Sequence, residues 1–417
     1  MKFNENEKFS IYNGLASTVS TNMVNGYIPL FAIGVLGATN QQIGLISSLP
    51  SIIGMLALIP GAIWLNSVHS KKNFAVISTL LTRLLFSLIL FVPFLGSHYA
   101  AWALVVIIAL LNFPGALSGL SWQSMIGELV PEKRRGEFFS SRNRYNTIAA
   151  MAVTFATGLF LQQFQKDSAF PYQILFLAAF IFAVLEVYYL IKHKESEKPK
   201  EKNSATSNDR TLSMNVYKHK PFLAFVISAL MFGFSSQMAW SLFSIYQIKE
   251  ADATALWLSL FSVTNQLAQI ISIKWWANAA NRRGNSFVLF IAAAGMATVP
   301  ALTVISDNLI YLTLINLWIG LFVSGTNLLL FNQLLKASPE ADRTNYIANY
   351  NFLLSIVGFI APQTGVFLLN GMGMNAAMNV ISILRFAAAS SFLFVAIKFD
   401  RKIIAYNQAE NKQAKTG

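Results

Sequence analysis

Three charged residues, Arg83, Glu186 and Arg385, sit inside stretches of sequence that are otherwise apolar. At the centre of a bilayer such a charge costs about 2.5–3.5 kcal/mol even on lenient scales, so it marks an ion pair, a proton relay or an anion site. Arg83 lies 11 residues past Lys72, or roughly 16 Å along a helix at about 1.5 Å per residue. Glu186 lies 6 residues before Lys192, or roughly 9 Å inside that boundary. The two depths therefore differ by roughly 7 Å, within reach of two long side chains. Two chemistries are open for Glu186: a structural partner for Arg83, which is the preferred reading, or an acid that carries protons. Arg385 has no acidic partner within the membrane spans of its own half and is expected to meet backbone carbonyls, water or an anionic solute.

A second set of candidates is polar and uncharged. Thr18, Asn22, Asn25 and Pro29 recur at i, i+4, i+7 and i+11, one face of a helix. Asn112, Trp122 and Gln123 share a segment that ends near Glu128. Gly233, Gln237, Trp240, Ser244 and Gln247 repeat the same spacing, and Asn316 and Asn327 line up with Thr313, Gly320 and Ser324. Catalytic chemistry finds no foothold. The four histidines, His69, His98, His193 and His219, fall in loops or at helix ends without metal-ligand spacing, and there is no cysteine. No Walker or Ser/His/Asp constellation has a plausible setting. An enzyme, a metal site and a cofactor are therefore not expected.

The elements that position these residues follow from composition. The chain is 55% hydrophobic and only 12% charged, against about 25% charged residues in a soluble domain. Apolar runs long enough to cross a bilayer recur from Phe9 to Phe399. The spacing predicts twelve helices near 9–36, 41–66, 73–95, 99–127, 138–163, 170–192, 219–247, 253–278, 285–305, 309–335, 343–370 and 375–398. The expected class is an all-α polytopic membrane protein whose partner is the lipid bilayer. Of the 31 Lys and Arg, all but Lys166, Lys249, Arg83 and Arg385 fall at the two ends or in every second loop. That asymmetry predicts both termini in the cytoplasm and accounts for the +13 net charge without a nucleic-acid partner. The polar start Met1–Lys8 leads into a long first span and does not read as a cleavable leader. The expected organisation is a six-helix bundle over 1–192, a charged tether over 193–218, a second bundle over 219–398 and a tail over 399–417.

The two bundles echo each other. Pro131-Glu132-Lys133-Arg134-Arg135-Gly136-Glu137-Phe138-Phe139-Ser140-Ser141-Arg142-Asn143 precedes the fifth helix, and Pro339-Glu340-Ala341-Asp342-Arg343-Thr344-Asn345-Tyr346-Ile347-Ala348-Asn349-Tyr350-Asn351 stands 208 residues later. Pro, Glu, Arg, an aromatic, a small residue and Asn agree in register, as an internal duplication would leave them. The first copy, read as a connecting loop, adds Arg142 and Arg144 to a dense cluster with Glu128 and Glu137. That cluster is expected to act as a cytoplasmic gate and topology anchor.

Six helices, a tether and six more helices resemble the major facilitator superfamily, whose halves are related by an axis along the membrane normal. Asn281-Arg282-Arg283-Gly284 is similar to that superfamily's loop between helices 8 and 9, with Asn for Asp and Ala277 for its first Gly. The corresponding loop between helices 2 and 3 keeps only Lys71 and Lys72. Pro131–Asn143 and Pro339–Asn351 resemble its Pro-Glu-x-x-Arg-Gly element. The helix-5 motif of its drug/proton antiporters is absent, the segment reading Thr147-Ile148-Ala149-Ala150-Met151-Ala152-Val153-Thr154.

The resemblance implies that helices 1, 4, 7 and 10 line a central cavity. Asn22, Asn25, Asn112, Trp122, Gln123, Gln237, Trp240, Asn316 and Asn327 would then bind a small-molecule substrate. Glu128, Arg135, Arg144, Arg282 and Arg343 would gate it. The alternative for any one of the polar residues is packing glue, at about 0.6–2 kcal/mol per hydrogen bond. For the four stripes together the cavity is favoured. The implied function is a monomeric, bacterial-type secondary transporter in the cytoplasmic membrane, with export and with proton or ion coupling left open. The rival reading is a non-transporting membrane scaffold that keeps the fold.

Overall fold

The computed structural model describes residues 4–68, 70–130, 132–194, 214–339 and 342–395. Most of the expected tether (193–218) and all of the expected tail (399–417) lie outside those residues. Among the described residues there is no strand. The first helix, α1 (Glu5–Asn22), opens on a capping box: the Asn4 side chain accepts from the Glu7 N–H and Glu7 accepts from the Asn4 N–H. The expected helix over 9–36 is not continuous. Asn22 ends α1, Asn25–Tyr27 is a 3-10 turn, Ile28–Leu30 is a short helical stretch and Phe31–Val35 is a π-type turn. Pro29 has no N–H and its ring crowds the carbonyl four residues back, while Gly26 is a poor helix former, so the α ladder gives way there.

The remaining helices are α2 (Asn40–Ser67), α3 (Lys71–Ser87, prolonged as a 3-10 helix over Leu88–Leu95), α4 (Ser97–Leu129), α5 (Glu132–Leu161) and α6 (Phe170–Ile191). After these come α7 (Lys220–Ile245, closing on a π-type turn over Tyr246–Glu250), α8 (Ala255–Arg283), α9 (Asn285–Thr303), α10 (Leu309–Ala337), α11 (Arg343–Met372) and α12 (Met374–Val395). Among the described residues ten stretches are long and apolar enough to cross a membrane. The broken first segment and the charged α5 are not among them.

One expectation is corrected. Glu132–Glu137, placed before the predicted helix over 138–163, forms the first turns of α5, whereas α11 opens at Arg343, where the helix over 343–370 is expected. A proline just before the entry has no N–H to lose, and an acid near a helix start meets the positive end of its dipole. The aromatic shared by the two copies has a packing reason. Phe138 is buried with Ile11, Met125 and Leu190, and Tyr346 is buried with Phe222, Phe225 and Leu334.

The chain divides into two compact units, Met1–Asn203 with Gln247–Val263, and Ser204–Tyr246 with Thr264–Gly417. Within the first, α1 packs on α5 and α6, and α3 on α4 and α6. Within the second, α7 packs on α11 and α12, and α9 on α10 and α12, the same plan. In the second unit a Cβ on Gly320 of α10 would collide with the Asn265 carbonyl of α8, so the missing side chain is what admits that contact. The duplication also extends to the two π-type turns. Each is followed by a residue in the left-handed region, Gly37 (φ +65°) and Asp252 (φ +49°). In each, the next N–H closes the helix end at 2.8 Å, Ala38 onto Ala32 O and Ala253 onto Gln247 O.

Candidate functional site

Arg83 and Glu186 are in contact. Each belongs to the buried face of its helix, Arg83 with Ser78 and Thr79, and Glu186 with Ala183 and Leu190. The Arg83 Nε donates to Glu186 Oε2 at 2.7 Å, with the two side chains 11% and 9% exposed. The Arg83 Nη2 also donates to Ser17 Oγ at 3.1 Å. A polar face of α1 serves as glue here, Asn13 donating to the Glu186 carbonyl at 2.9 Å and Ser20 to the Ala179 carbonyl at 2.8 Å. That face is separate from the one bearing Thr18 and Asn22.

Arg142 was grouped with the exposed cytoplasmic cluster, and the structure turns it inward. Its guanidinium stacks 4.2 Å over the Trp122 ring and its Nε donates to the Ser10 carbonyl at 3.2 Å. The signal was present: Arg142 falls one helical turn after Phe138, whose side chain is in the core. By contrast Arg144 is exposed and lies 5.8 Å from the Tyr145 ring.

In the second unit Arg385 is 1% exposed. Its Nη1 donates to Met296 O at 2.9 Å, and its Nη2 to Ser236 O at 3.1 Å and Ser235 O at 3.4 Å. One guanidinium thus bridges α12, α9 and α7 through backbone carbonyls.

The residues of the polar stripes fall into two groups. Asn22, Asn112 and Asn316 turn their amide N–H groups back onto their own helices, to Thr18 O at 2.8 Å, Ile108 O at 2.6 Å and Leu312 O at 2.8 Å. Asn316 is buried, where its own carbonyl accepts from the Asn265 side chain at 3.3 Å. Asn25, Gln123, Trp240 and Asn327 are exposed, and Gln237 and Trp122 are half-buried. Asn25 lies beyond the break in the first helix, so its side chain does not continue the α1 face.

At the charged helix ends, Arg135 closes the end of α4: its Nε donates to Val130 O at 3.1 Å and its Nη2 to Gly127 O. A cation there satisfies carbonyls that have no partner in the helix. Arg343 is half-buried at the start of α11, and Arg282 is exposed near the end of α8 beside Trp275. The Glu128 side chain lies outside the described residues. His193, just past α6, is 1% exposed, and its Nδ1 stands 3.1 Å from both Tyr189 O and Leu190 O. Burial pushes this imidazole below its ordinary value, the two carbonyl hydrogen bonds working the other way. Among the described residues no cluster of His, Asp and Glu could hold a metal.

Comparison with solved structures gives the same architecture on distant sequences. The nucleoside transporter NupG superposes with a TM-score of 0.72 at 14% identity, over 95% of this chain and 100% of that one. A D-xylose-proton symporter superposes at 0.70 and 13% identity, over 93% and 96%. A bacterial metal transporter superposes at 0.69 and 14% identity, over 95% and 100%. No curated protein matches the chain in sequence. The profile of the Major Facilitator Superfamily matches residues 12–362. With its two like-packed helical units and that match, the chain belongs to the major facilitator superfamily of transporters.

Proposed function

We propose that the protein is a secondary transporter of the cytoplasmic membrane that moves a small polar or amphipathic organic solute by alternating access. In this reading twelve helices cross the membrane, the termini are cytoplasmic and the chain acts as a monomer. The observation that carries it is the exposure of Gln123 and Asn327 on helices otherwise fit for lipid. An amide turned to hydrocarbon loses its hydrogen-bond partners, so those faces call for a water-filled passage. Asn25, Gln237 and Trp240 belong to the same lining, with Asn22, Asn112, Trp122 and Asn316 in its walls. The solved neighbours are named for nucleosides, D-xylose and metal, so the fold does not choose the solute. Arg135 and Arg343 act as matched anchors at the helix 4/5 and 10/11 ends, with Glu128, Arg144 and Arg282 in the same gate. The contact with Arg83 supports a structural role for Glu186, so that any proton coupling runs elsewhere.

Single cysteines test the lining in a chain that has none of its own. Placed at Gln123, Trp240 and Asn327, they should react with a small hydrophilic thiol reagent in intact vesicles. At Ile271 and Ile383, exposed positions on apolar surface, they should not. Equal reactivity at both sets refutes the passage. A thermal-shift screen against metabolite and drug panels then names the solute, since a ligand that binds the folded state raises its melting temperature. Uptake and export of the hits by vesicles give the direction, with export tested first.

A further inference from the structure

The first unit holds a half-open cavity of about 160 Å³ lined by Ser17, Thr79, Ser118, Trp122, Arg142 and Glu186. Its donors and acceptors do not balance. The one acid, Glu186, already takes the Arg83 Nε through Oε2, and Arg83 Nη2 is taken by Ser17. Two of the hydroxyls bond each other, Thr79 Oγ1 to Ser118 Oγ at 2.6 Å. Arg142 spends only its Nε, on Ser10 O, and among the described residues its two Nη atoms have no protein acceptor. The Trp122 Nε1 is buried, also without a protein acceptor. Two guanidinium groups thus share one carboxylate, and the surplus is the guanidinium edge of Arg142, stacked on the Trp122 ring.

We propose that this cavity binds a small carboxylate anion, held by the Nη edge of Arg142, whose guanidinium the Trp122 ring supports from below. A planar pair of oxygens fits the guanidinium fork, and one negative charge matches the one unpaired positive charge. A neutral amide offers a single acceptor and sets its own N–H groups against the donors. The space corresponds to about five water volumes at about 30 Å³ each, enough for a carboxylate group with a short chain. Gly14 fixes the arrangement from the α1 side, because a Cβ there would stand 2.6 Å from Arg142 Nη2. The proposal stands on the first unit alone and does not need the transport reading.

The test is calorimetric titration of the purified full chain, in a neutral detergent and a carboxylate-free buffer, with acetate, lactate, acetamide and chloride. Acetate or lactate should bind, and acetamide and chloride should bind at least tenfold more weakly. Trp122→Ala removes the ring on which the guanidinium stacks, so it should weaken carboxylate binding about tenfold. Arg142→Gln should abolish it, and Gly14→Ala, which displaces the guanidinium, should weaken it. Acetamide or chloride binding as well as acetate overturns the assignment, as does wild-type affinity in Arg142→Gln. No carboxylate heat at tens of millimolar overturns it too.

Discussion

Replacing Glu186 by Gln should loosen the first unit by a large and calculable amount. The pair it breaks is almost wholly out of solvent, so screening is slight, and Arg142 lines the same cavity. Removing the carboxylate leaves two guanidinium groups with no acid between them. Breaking a buried pair from one side costs about 3–5 kcal/mol, or roughly a hundred- to several-thousand-fold in the population of opened molecules at about 1.4 kcal/mol per decade. A reporter cysteine at Ala75, fully buried on α3, converts that population into a labelling rate, because labelling of a rapidly closing site follows the open fraction. Glu186→Gln in the Ala75→Cys background should therefore label at least a hundredfold faster. The double variant Arg83→Met/Glu186→Leu, which exchanges the pair for apolar side chains, should recover most of the loss. Labelling within threefold of the parent in Glu186→Gln would refute the reasoning. It would mean that the carboxylate is not committed to Arg83 and is free to trade protons.

Arg385 should behave in the opposite way, since it is a buried cation with carbonyls and no acid for partners. Arg385→Met should be as stable as the parent in thermal unfolding, and Arg385→Lys, which keeps the charge and loses the fork, should be less stable; the reverse order would show that the carbonyl bonds outweigh the cost of burying the charge. For His193 the folded-state value lies below 6.5, so the unfolded chain binds the extra proton. Its contribution to stability is complete above about pH 6.5 and is lost as pH falls toward the lowered value. His193→Gln should flatten the pH dependence of melting over that acid window, and an unchanged profile would count against it. Asp252 holds a left-handed conformation, worth about 1–2 kcal/mol of strain. Its ion pair with Lys166 is exposed and worth about 0–1 kcal/mol. Asp252→Gly should leave the melting temperature unchanged or raise it, and a clear fall would show that the pair outweighs the strain.

Much of this architecture was legible because hydropathy and helical depth are simple functions of position. Apolar length located the helices, and a rise of about 1.5 Å per residue placed Arg83 and Glu186 at depths that allow contact. Hydropathy misled at two places for the same reason. It counts a charged stretch as loop, yet Glu132–Glu137 is helix, because a helix start outside the bilayer tolerates charge. It also counted 9–36 as one helix and overlooked Gly26 and Pro29, which break the ladder and carry Asn25 off the α1 face. The inward turn of Arg142 needed the helical phase of Phe138, which hydropathy does not carry. The division of the stripe amides into self-bonded Asn22, Asn112 and Asn316 and exposed Gln123 and Asn327 depends on which neighbours pack against each face. A single sequence does not encode that locally.

The two π-type turns have a consequence for the length of the chain. A π turn holds one residue more than an α turn, so Phe31–Val35 and Tyr246–Glu250 each keep one residue of slack in an otherwise helical path. Drawing that residue into α register rotates all that follows by about 100°, and the left-handed residue just beyond, Gly37 or Asp252, is where the chain direction is reset. Insertions and deletions of one residue are therefore absorbed at these two turns instead of being passed down α2 or α8. Elsewhere in the helices the same change would swing polar and apolar faces out of phase with their neighbours.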